Sequence, residues 1–260
     1  MERWQPLQKR ASQRGSHLLQ PLVIAFQLLT RIPIPVSVDH TPELRERSLL
    51  FYPLVGGVIG GGLWLLQALL VSYPVVLQAT LLLIFWVGIT GGLHLDGLAD
   101  SADAWVGGMG DRQRMLEIMK DPASGPMGVT AIVLILLIKW SLLYTLIDQQ
   151  QVALLIWSPL LARLLLIPLF QTTAYLRSEG MGSALTGEGA YWPGVAVLLL
   201  GLLLAWWGGV DGVVLLLLLL GAALFRYRVV KQLGGITGDL AGAMVEKMEV
   251  WLLLLVVLLQ

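Results

Sequence analysis

Residues 74–103 read PVVLQATLLLIFWVGITGGLHLDGLADSAD. Residues 74–95 form an apolar run near the ~20 residues that a helix needs to cross a bilayer. Three acidic residues follow this run, namely Asp96, Asp100 and Asp103. At about 100° per residue, Asp100 lies about 40° around a helix from Asp96, and Asp103 lies about 20° to the other side. The stretch therefore predicts a helix with three carboxylates on one face, where a membrane segment meets water.

This acidic face lacks a neutralising partner nearby in the chain. No Lys or Arg occurs from Ala79 through Asp111, so the carboxylates repel one another unless a cation lies between them. The alternative is that the acids are merely solvated at a polar helix end. That explanation suits a single acid after a hydrophobic run better than three acids on one face. Ionisable clusters at membrane segments are costly and usually functional. We therefore expect Asp96, Asp100 and Asp103 to bind a divalent cation.

The composition predicts the fold class. Hydrophobic residues make up 57% of the 260 residues and charged residues 13%, too apolar for a water-soluble surface around one core. Further apolar runs lie at 49–73, 129–147, 152–170, 193–207, 213–225 and 240–259. They lack the alternation of a barrel, which leaves helices. We predict an all-α polytopic membrane helix bundle of about seven transmembrane helices, with a polar cytoplasmic segment at 1–17 and one catalytic domain at 18–260.

The distribution of cations predicts the orientation. In chain order, Lys and Arg residues precede the first run (49–73) and follow the second (74–95), the fourth (152–170) and the sixth (213–225). The connections around Tyr73, Asp148 and Asp211 have none. The positive-inside rule then places the N-terminus in the cytoplasm, the C-terminus outside and every motif-bearing loop on the cytoplasmic face of the cell inner membrane. Residues 18–30 lead into Arg31 without a small-residue cleavage site, which predicts an interfacial or re-entrant helix rather than a signal peptide.

A second acidic motif, GGITGDLAGAMVE, occupies residues 234–246. Asp239 and Glu246 are seven residues apart and share one helical face, so both are candidate metal ligands. The amides at this helix start can receive a phosphate, and the candidate binding residues are Gly235, Thr237 and Gly238. A capped helix start with ordinary acidic residues is the alternative.

A third motif, KDPASGPMG, occupies residues 120–128. Lys120, Ser124 and Gly125 suit anion binding at a helix N-terminus, although a simple turn explains them nearly as well. Two cations, Lys139 and Arg163, lie within predicted spans. Either can pair with an acid or reach toward a lipid headgroup.

Five glycines at 56, 57, 60, 61 and 62 have small-xxx-small spacings. They favour close helix packing over a phosphate loop, because they lie inside a span and lack the Lys-Ser/Thr ending of a nucleotide-binding loop.

The donor set favours Mg²⁺ and phosphoryl transfer. Zinc prefers several His or Cys ligands, but the chain has no Cys and only three His. Carboxylates beside phosphate-binding amides suit Mg²⁺. The zero net charge and the absence of a basic run exclude a nucleic-acid partner. A cation-coupled transporter is a weaker alternative, because it predicts midplane charges and an internal repeat.

Five motifs in order resemble the cobalamin synthase family, the adenosylcobinamide-GDP ribazoletransferases. They are FQLLTRIPIP at 26–35, FYPLVG at 51–56, GLHLDGLAD at 92–100, MKDP at 119–122 with Gly125 and Gly128, and GGITGD at 234–239. The resemblance implies a Mg²⁺-dependent membrane enzyme that binds adenosylcobinamide-GDP. The ribose 3′-hydroxyl of α-ribazole, or of its 5′-phosphate, would attack the phosphate attached to cobinamide and expel GMP.

In terms of this family, Asp96, Asp100 and Asp103 correspond to the acidic metal motif, with Asp239 and Glu246 as its partners. We expect His94, Asp100 or Asp103 to act in catalysis, with Asp103 favoured as the base. The oligomeric state is open, and a homo-oligomer is one alternative.

The chain is also similar to CDP-alcohol phosphotransferases in its chemistry and its spaced aspartates. Their Asp-Gly-x-x-Ala-Arg start is absent, however. Here Asp96-Gly97-Leu98-Ala99 is followed by Asp100, where that motif has Ala. A role in phospholipid synthesis is therefore the weaker expectation.

Overall fold

The computed structural model describes residues 19–177, 182, 185 and 190–259. Within these residues the chain forms helices and no strand, which confirms the all-α class. The helices are α1 (Leu19–Leu29), α2 (Pro42–Ser48), α3 (Tyr52–Leu69), α4 (Val75–Thr90), α5 (Leu93–Gly107), α6 (Arg112–Ile118), α7 (Pro126–Asp148), α8 (Trp157–Leu164), α9 (Leu166–Thr172), α10 (Tyr191–Trp207), α11 (Gly212–Leu233) and α12 (Gly238–Leu259). Short 3₁₀ helices at Leu49–Phe51 and Val152–Ile156 precede α3 and α8. The predicted cytoplasmic segment at 1–17 lies outside the described residues.

Every predicted apolar run is helical, but fewer than seven helices are clear membrane spans. Four segments are long and apolar enough to cross a bilayer, namely Pro42–Leu69, Pro126–Asp148, Val152–Thr172 and Gly212–Leu233. The bent pair α4 and α5 makes a fifth if it counts as one span. Helix α10 has 17 residues, and α12 carries several charges. The structure thus confirms a membrane helix bundle with four or five spans, and the number seven stays a prediction.

The acidic helix begins at a sharp break in the chain. Gly91 and Gly92 adopt φ angles of 65° and 71°, a left-handed conformation that glycine reaches without the steric penalty of a Cβ atom. Helix α4 therefore ends at Thr90, within the run at 74–95, and α5 leaves at 86° to it. This bend separates the apolar helix from the helix that carries the carboxylates.

Two of the five glycines of α3 lie directly against the backbone of another helical segment. A Cβ atom on Gly60 would lie 2.5 Å from the carbonyl oxygen of Ile156, and one on Gly56 would overlap the carbonyl oxygen of Pro159. Only hydrogen fits between these backbones. The close helix packing predicted for this stripe is confirmed at the contact of α3 with α8.

Helix α12 lies at the centre of the bundle, in contact with α5, α7, α8 and α11. Its contact with α5 is tight because two glycines face each other's helix. A Cβ atom on Gly97 of α5 would lie 2.6 Å from the carbonyl oxygen of Asp239, and one on Gly242 of α12 would lie 3.2 Å from the Cα of His94. This crossing places the two acidic motifs side by side.

Candidate active site

A cavity of about 410 Å³ opens where α5 crosses the beginning of α12. One wall is polar, and it is formed by His94, Asp96, Tyr175, Arg177 and Asp239. The rest of its lining is largely apolar, and it includes Leu28, Leu29, Leu166, Phe170 and Leu185. A few charged groups in a largely apolar lining are typical of a binding site for a small molecule.

The segment before α12 is held in place by the chain that follows α9. The Leu176 amide donates to the Ile236 carbonyl and the Ile236 amide donates to the Ala174 carbonyl, both at 2.8 Å. A Cβ atom on Gly235 would overlap the Ala174 oxygen. Gly235, a predicted phosphate-binding residue, therefore has a packing role in the structure, since it lets two extended segments approach.

The other two predicted residues of this motif lie at the start of α12. Thr237 is buried, and its Oγ1 accepts a hydrogen bond from the Leu240 amide at 3.3 Å, so its side chain caps the start of α12. Gly238 lines the cavity, and a Cβ atom on it would lie 3.6 Å from the Tyr175 hydroxyl oxygen. Burial raises the pKa of Tyr175, so its phenol stays protonated and can donate a hydrogen bond at neutral pH.

Arg177 is a functional candidate that sequence reasoning used only for topology. Its Nη2 donates to Asp239 Oδ2 at 2.6 Å and to the Met119 carbonyl at 3.0 Å. Asp100 lies within electrostatic range of Asp96, Asp239 and Arg177. Arg177 was recognisable in the sequence as the one cation among residues 172–190, next to the acidic motifs in the predicted cytoplasmic loops.

Asp103 contacts backbone groups, and its role as base and metal ligand stays a prediction. Its Oδ2 accepts from the Gly125 amide at 2.7 Å and its Oδ1 accepts from the Gly128 amide at 2.9 Å. These bonds satisfy backbone groups at the start of α7, which a helix leaves unpaired. Both oxygens of Asp103 are therefore engaged, and the Gly125 amide that was predicted to bind an anion is already taken.

Two further predicted anion ligands lie apart from the cavity. Lys120 and Ser124 are exposed, and neither belongs to the residues that line it. The KDPASGPMG motif thus serves in this structure as the turn that Asp103 fastens.

Glu246 is separated from the other predicted metal ligands. It is buried, and its Oε2 lies 2.7 Å from Lys139 Nζ. Seven residues along a helix correspond to a rise of about 10 Å, which carries Glu246 away from Asp239 into the core. Because its charge is already balanced there, we leave Glu246 out of the proposed metal site.

Glu246 belongs to a buried network of four charged side chains. Glu249 lies 2.7 Å from both Lys139 Nζ and Arg163 Nη1, so two acids balance two bases. Lys139 and Arg163, for which two roles were open, pair with acids. Sequence reasoning missed Glu249, although it lies three residues after Glu246 on the same helix face.

His94 connects this network to the cavity. Its Nδ1 lies 3.5 Å from Arg163 Nη2, and a guanidinium can only donate. Nδ1 is therefore the acceptor and Nε2 carries the proton in the neutral ring. This arrangement is better suited to a positioning role than to the predicted role of base.

The remaining acids define the candidate metal site. No group of three or more His, Asp or Glu side chains lies close enough to hold a metal ion among the described residues. The charges nevertheless suit a hard cation, because Asp100 interacts electrostatically with Asp96 and Asp239, and Arg177 is the nearby counter-charge. Their carboxylate oxygens are the donors that Mg²⁺ prefers.

The crossing of α5 with α12 is open to a direct test. We expect Gly97→Ala to lower the unfolding free energy by about 1–3 kcal/mol, because the added methyl group overpacks the contact with the Asp239 backbone. Thermal unfolding in detergent measures this effect. Gly61→Ala is the matched control, since nothing lies within 4 Å of its added Cβ atom. Equal midpoints for the two variants would contradict the tight crossing.

Comparison with known proteins identifies the family. Residues 21–257 match the cobalamin-5-phosphate synthase family. A protein of Pseudomonas fluorescens strain Pf-5, named adenosylcobinamide-GDP ribazoletransferase, is 48% identical over 237 residues, or 90% of this chain and 97% of the relative. A protein of the same name from Pseudomonas aeruginosa is 47% identical over 233 residues, covering 89% of this chain and 95% of the relative. Its namesake in Acinetobacter baumannii strain ATCC 17978 is 44% identical over 232 residues, or 88% and 93% of the two chains. No solved structure matches the chain significantly. The chain belongs to the cobalamin-5-phosphate synthase family.

Proposed function

We propose that this protein is a membrane-bound, Mg²⁺-dependent transferase that joins adenosylcobinamide-GDP to α-ribazole or its 5′-phosphate and releases GMP. One observation carries the proposal. In a chain of this family, the two acidic motifs and Arg177 meet at one cavity, with Asp96 and Asp239 in its wall. A transferase acting on a diphosphate needs both anion-binding and cation-binding groups at the reacting atoms.

Asp96, Asp100 and Asp239 would hold Mg²⁺, since Asp100 interacts electrostatically with the other two and Asp103 and Glu246 are engaged elsewhere. When bound, the ion supplies positive charge that neutralises the diphosphate. Arg177 adds a planar guanidinium that can bind two phosphate oxygens. Its ion pair with Asp239 holds it at the cavity wall before substrate arrives.

Asp100 is the predicted catalytic residue that remains free to accept a proton. Among the residues that the structure describes, no group donates a hydrogen bond to its carboxylate, whereas both oxygens of Asp103 are occupied. A carboxylate has two oxygens, so one can face a cation while the other accepts a proton. The proton of the 3′-hydroxyl passes to Asp100 as the new P–O bond forms and the bond to GMP breaks.

The apolar wall gives the substrates a second means of binding. Phe170 and Leu166 line the same cavity as the polar residues, and a flat aromatic base can pack on such a surface. Binding through groups distant from the reacting phosphate orients the hydroxyl for attack. His94, with Arg163 behind it, positions the α5 wall of the cavity.

The experiment that tests this function is release of GMP by the purified protein in detergent. We expect release only when adenosylcobinamide-GDP is supplied with an acceptor, loss of release in EDTA and recovery in excess Mg²⁺, because the clustered carboxylates need a counter-ion. Parallel assays with α-ribazole and its 5′-phosphate identify the preferred acceptor. Full activity in EDTA would remove the metal from the proposal, and no release with either acceptor would reject the transferase.

The proposed cytoplasmic location of the site has its own test. With the cation distribution described above, a reporter fused at residue 260 is expected outside the cell and one fused after residue 190 in the cytoplasm. Reporter pairs that are active on only one side of the membrane measure this. The opposite result at either position would show that the number of spans differs by one from the prediction.

A further inference from the structure

A second groove, separate from the candidate active site, lies between α5, α7, α11 and α12. Its volume is about 510 Å³ and none of its lining residues lines the first cavity. The walls are largely apolar, and they include Trp105, Val106, Met127, Leu134, Leu224 and Phe225. A groove of this composition accommodates a hydrocarbon chain.

Two cations from neighbouring helices face this apolar groove. They are Arg228 of α11 and Lys247 of α12. Lys247 Nζ lies 5.3 Å from the centre of the Phe225 ring, a favourable but incomplete substitute for an anion. Within the described part of the chain, neither cation has a carboxylate within the 4.0 Å of an ion pair, whereas Lys139, Arg163 and Arg177 all have one.

Arg228 and Lys247 lie at a surface where a cation needs an anionic partner. Lys247 is nine residues into α12, about 13 Å along the helix from Gly238, and α11 belongs to a segment able to span the bilayer. Leu220 and Leu224 of α11 are exposed beside the groove, as expected of a lipid-facing surface. An unpaired cation at such a surface is costly unless its side chain reaches an anionic group at the membrane edge.

We propose that this groove binds one anionic phospholipid, with its phosphate on Arg228 and Lys247 and an acyl chain along the apolar wall. The cations lie together while most of the wall is apolar, which matches the division of a phospholipid into headgroup and tail. A free phosphate would use only the cations. A neutral lipid would use only the wall. Charge and apolar surface together select a lipid that carries both features.

The test uses delipidated full-length protein in detergent, to which phosphatidylglycerol or phosphatidylcholine with identical acyl chains is added. Native mass spectrometry counts bound lipid, and the thermal midpoint reports stabilisation. We expect one retained phosphatidylglycerol and a raised midpoint. The double variant Arg228→Gln, Lys247→Met should bind about 30-fold more weakly, since each cation near an anionic headgroup is worth about 1 kcal/mol.

Two matched variants keep the result interpretable. Lys231→Met removes another cation of α11 that lies outside the groove, over the Tyr227 ring, and should bind lipid normally. The charge-conserving double variant Arg228→Lys, Lys247→Arg should also retain binding. Equal retention of the two lipids, equal stabilisation by inorganic phosphate, or the same affinity in the double variant and Lys231→Met would each overturn the proposal. GMP release is measured separately, so failure here leaves the proposed transferase unaffected.

Discussion

Replacing Asp100 by Asn is expected to lower the rate of GMP release by about a hundred- to a thousandfold, the usual effect of removing one charge aimed at a reacting centre. The amide keeps the shape of the carboxylate but loses the charge for Mg²⁺ and the capacity to take a proton. Asp239→Asn should cause a loss of similar size. It also frees Arg177, whose Nη2 lies 2.6 Å from the Asp239 carboxylate.

The double variant of Asp100 and Asp239 tests whether the two residues belong to one site or to two independent sites. Residues that act as a unit are strongly non-additive, so the double change should cost little more than either single change. The measurement is turnover against Mg²⁺ concentration for the three variants, with Asp148→Asn as the control at an exposed carboxylate of α7. A near-normal rate and metal response in Asp239→Asn would show that its motif only begins a helix. A normal elution profile in detergent verifies that each variant is folded.

The largest loss of stability is expected for Glu249→Gln. Glu249 contacts both buried cations at 2.7 Å, and Arg163 has no other carboxylate partner among the described residues. The substitution leaves a guanidinium with 0% exposure and no counter-charge, and Arg cannot lose its proton to escape the penalty. Breaking a buried ion pair in this way costs about 3–5 kcal/mol.

Three further variants test whether this loss of stability arises from the network of buried charges rather than from Glu249 alone. Glu43→Gln, at an exposed position in the first turn of α2, should change the unfolding free energy by less than about 0.5 kcal/mol. Lys139→Met should cost less than Glu249→Gln, because Glu249 keeps Arg163 and the Glu246 carboxylate that loses its partner can be protonated, whereas a guanidinium cannot lose its proton. Adding Arg163→Met to Glu249→Gln should recover part of the loss, since no cation is then left unpaired beside Gln. Denaturant unfolding in detergent measures all three, and equal costs for Glu249→Gln and Glu43→Gln would contradict the network.

Several features of the fold follow from local patterns in the sequence. Hydrophobic runs predict membrane helices because a bilayer demands satisfied backbone groups over a fixed thickness. The glycines of α3 predict close packing because only small residues let backbones touch. Thr237 predicts a helix start because its hydroxyl accepts from an amide of the same turn. Each of these inferences depends on residues that are neighbours along the chain.

The roles of individual charged residues depend on contacts between distant segments. Asp103, Asp239 and Glu246 look alike in the sequence, yet one fastens the start of α7, one faces the cavity with Arg177, and one neutralises Lys139. The difference arises from how α5, α7 and α12 cross and in which register. By itself, the sequence determined which residues carry charge and where the apolar spans lie, since both are local properties. The tertiary structure alone decided which charges meet, because that depends on packing between segments that lie 22 to 107 residues apart in the chain.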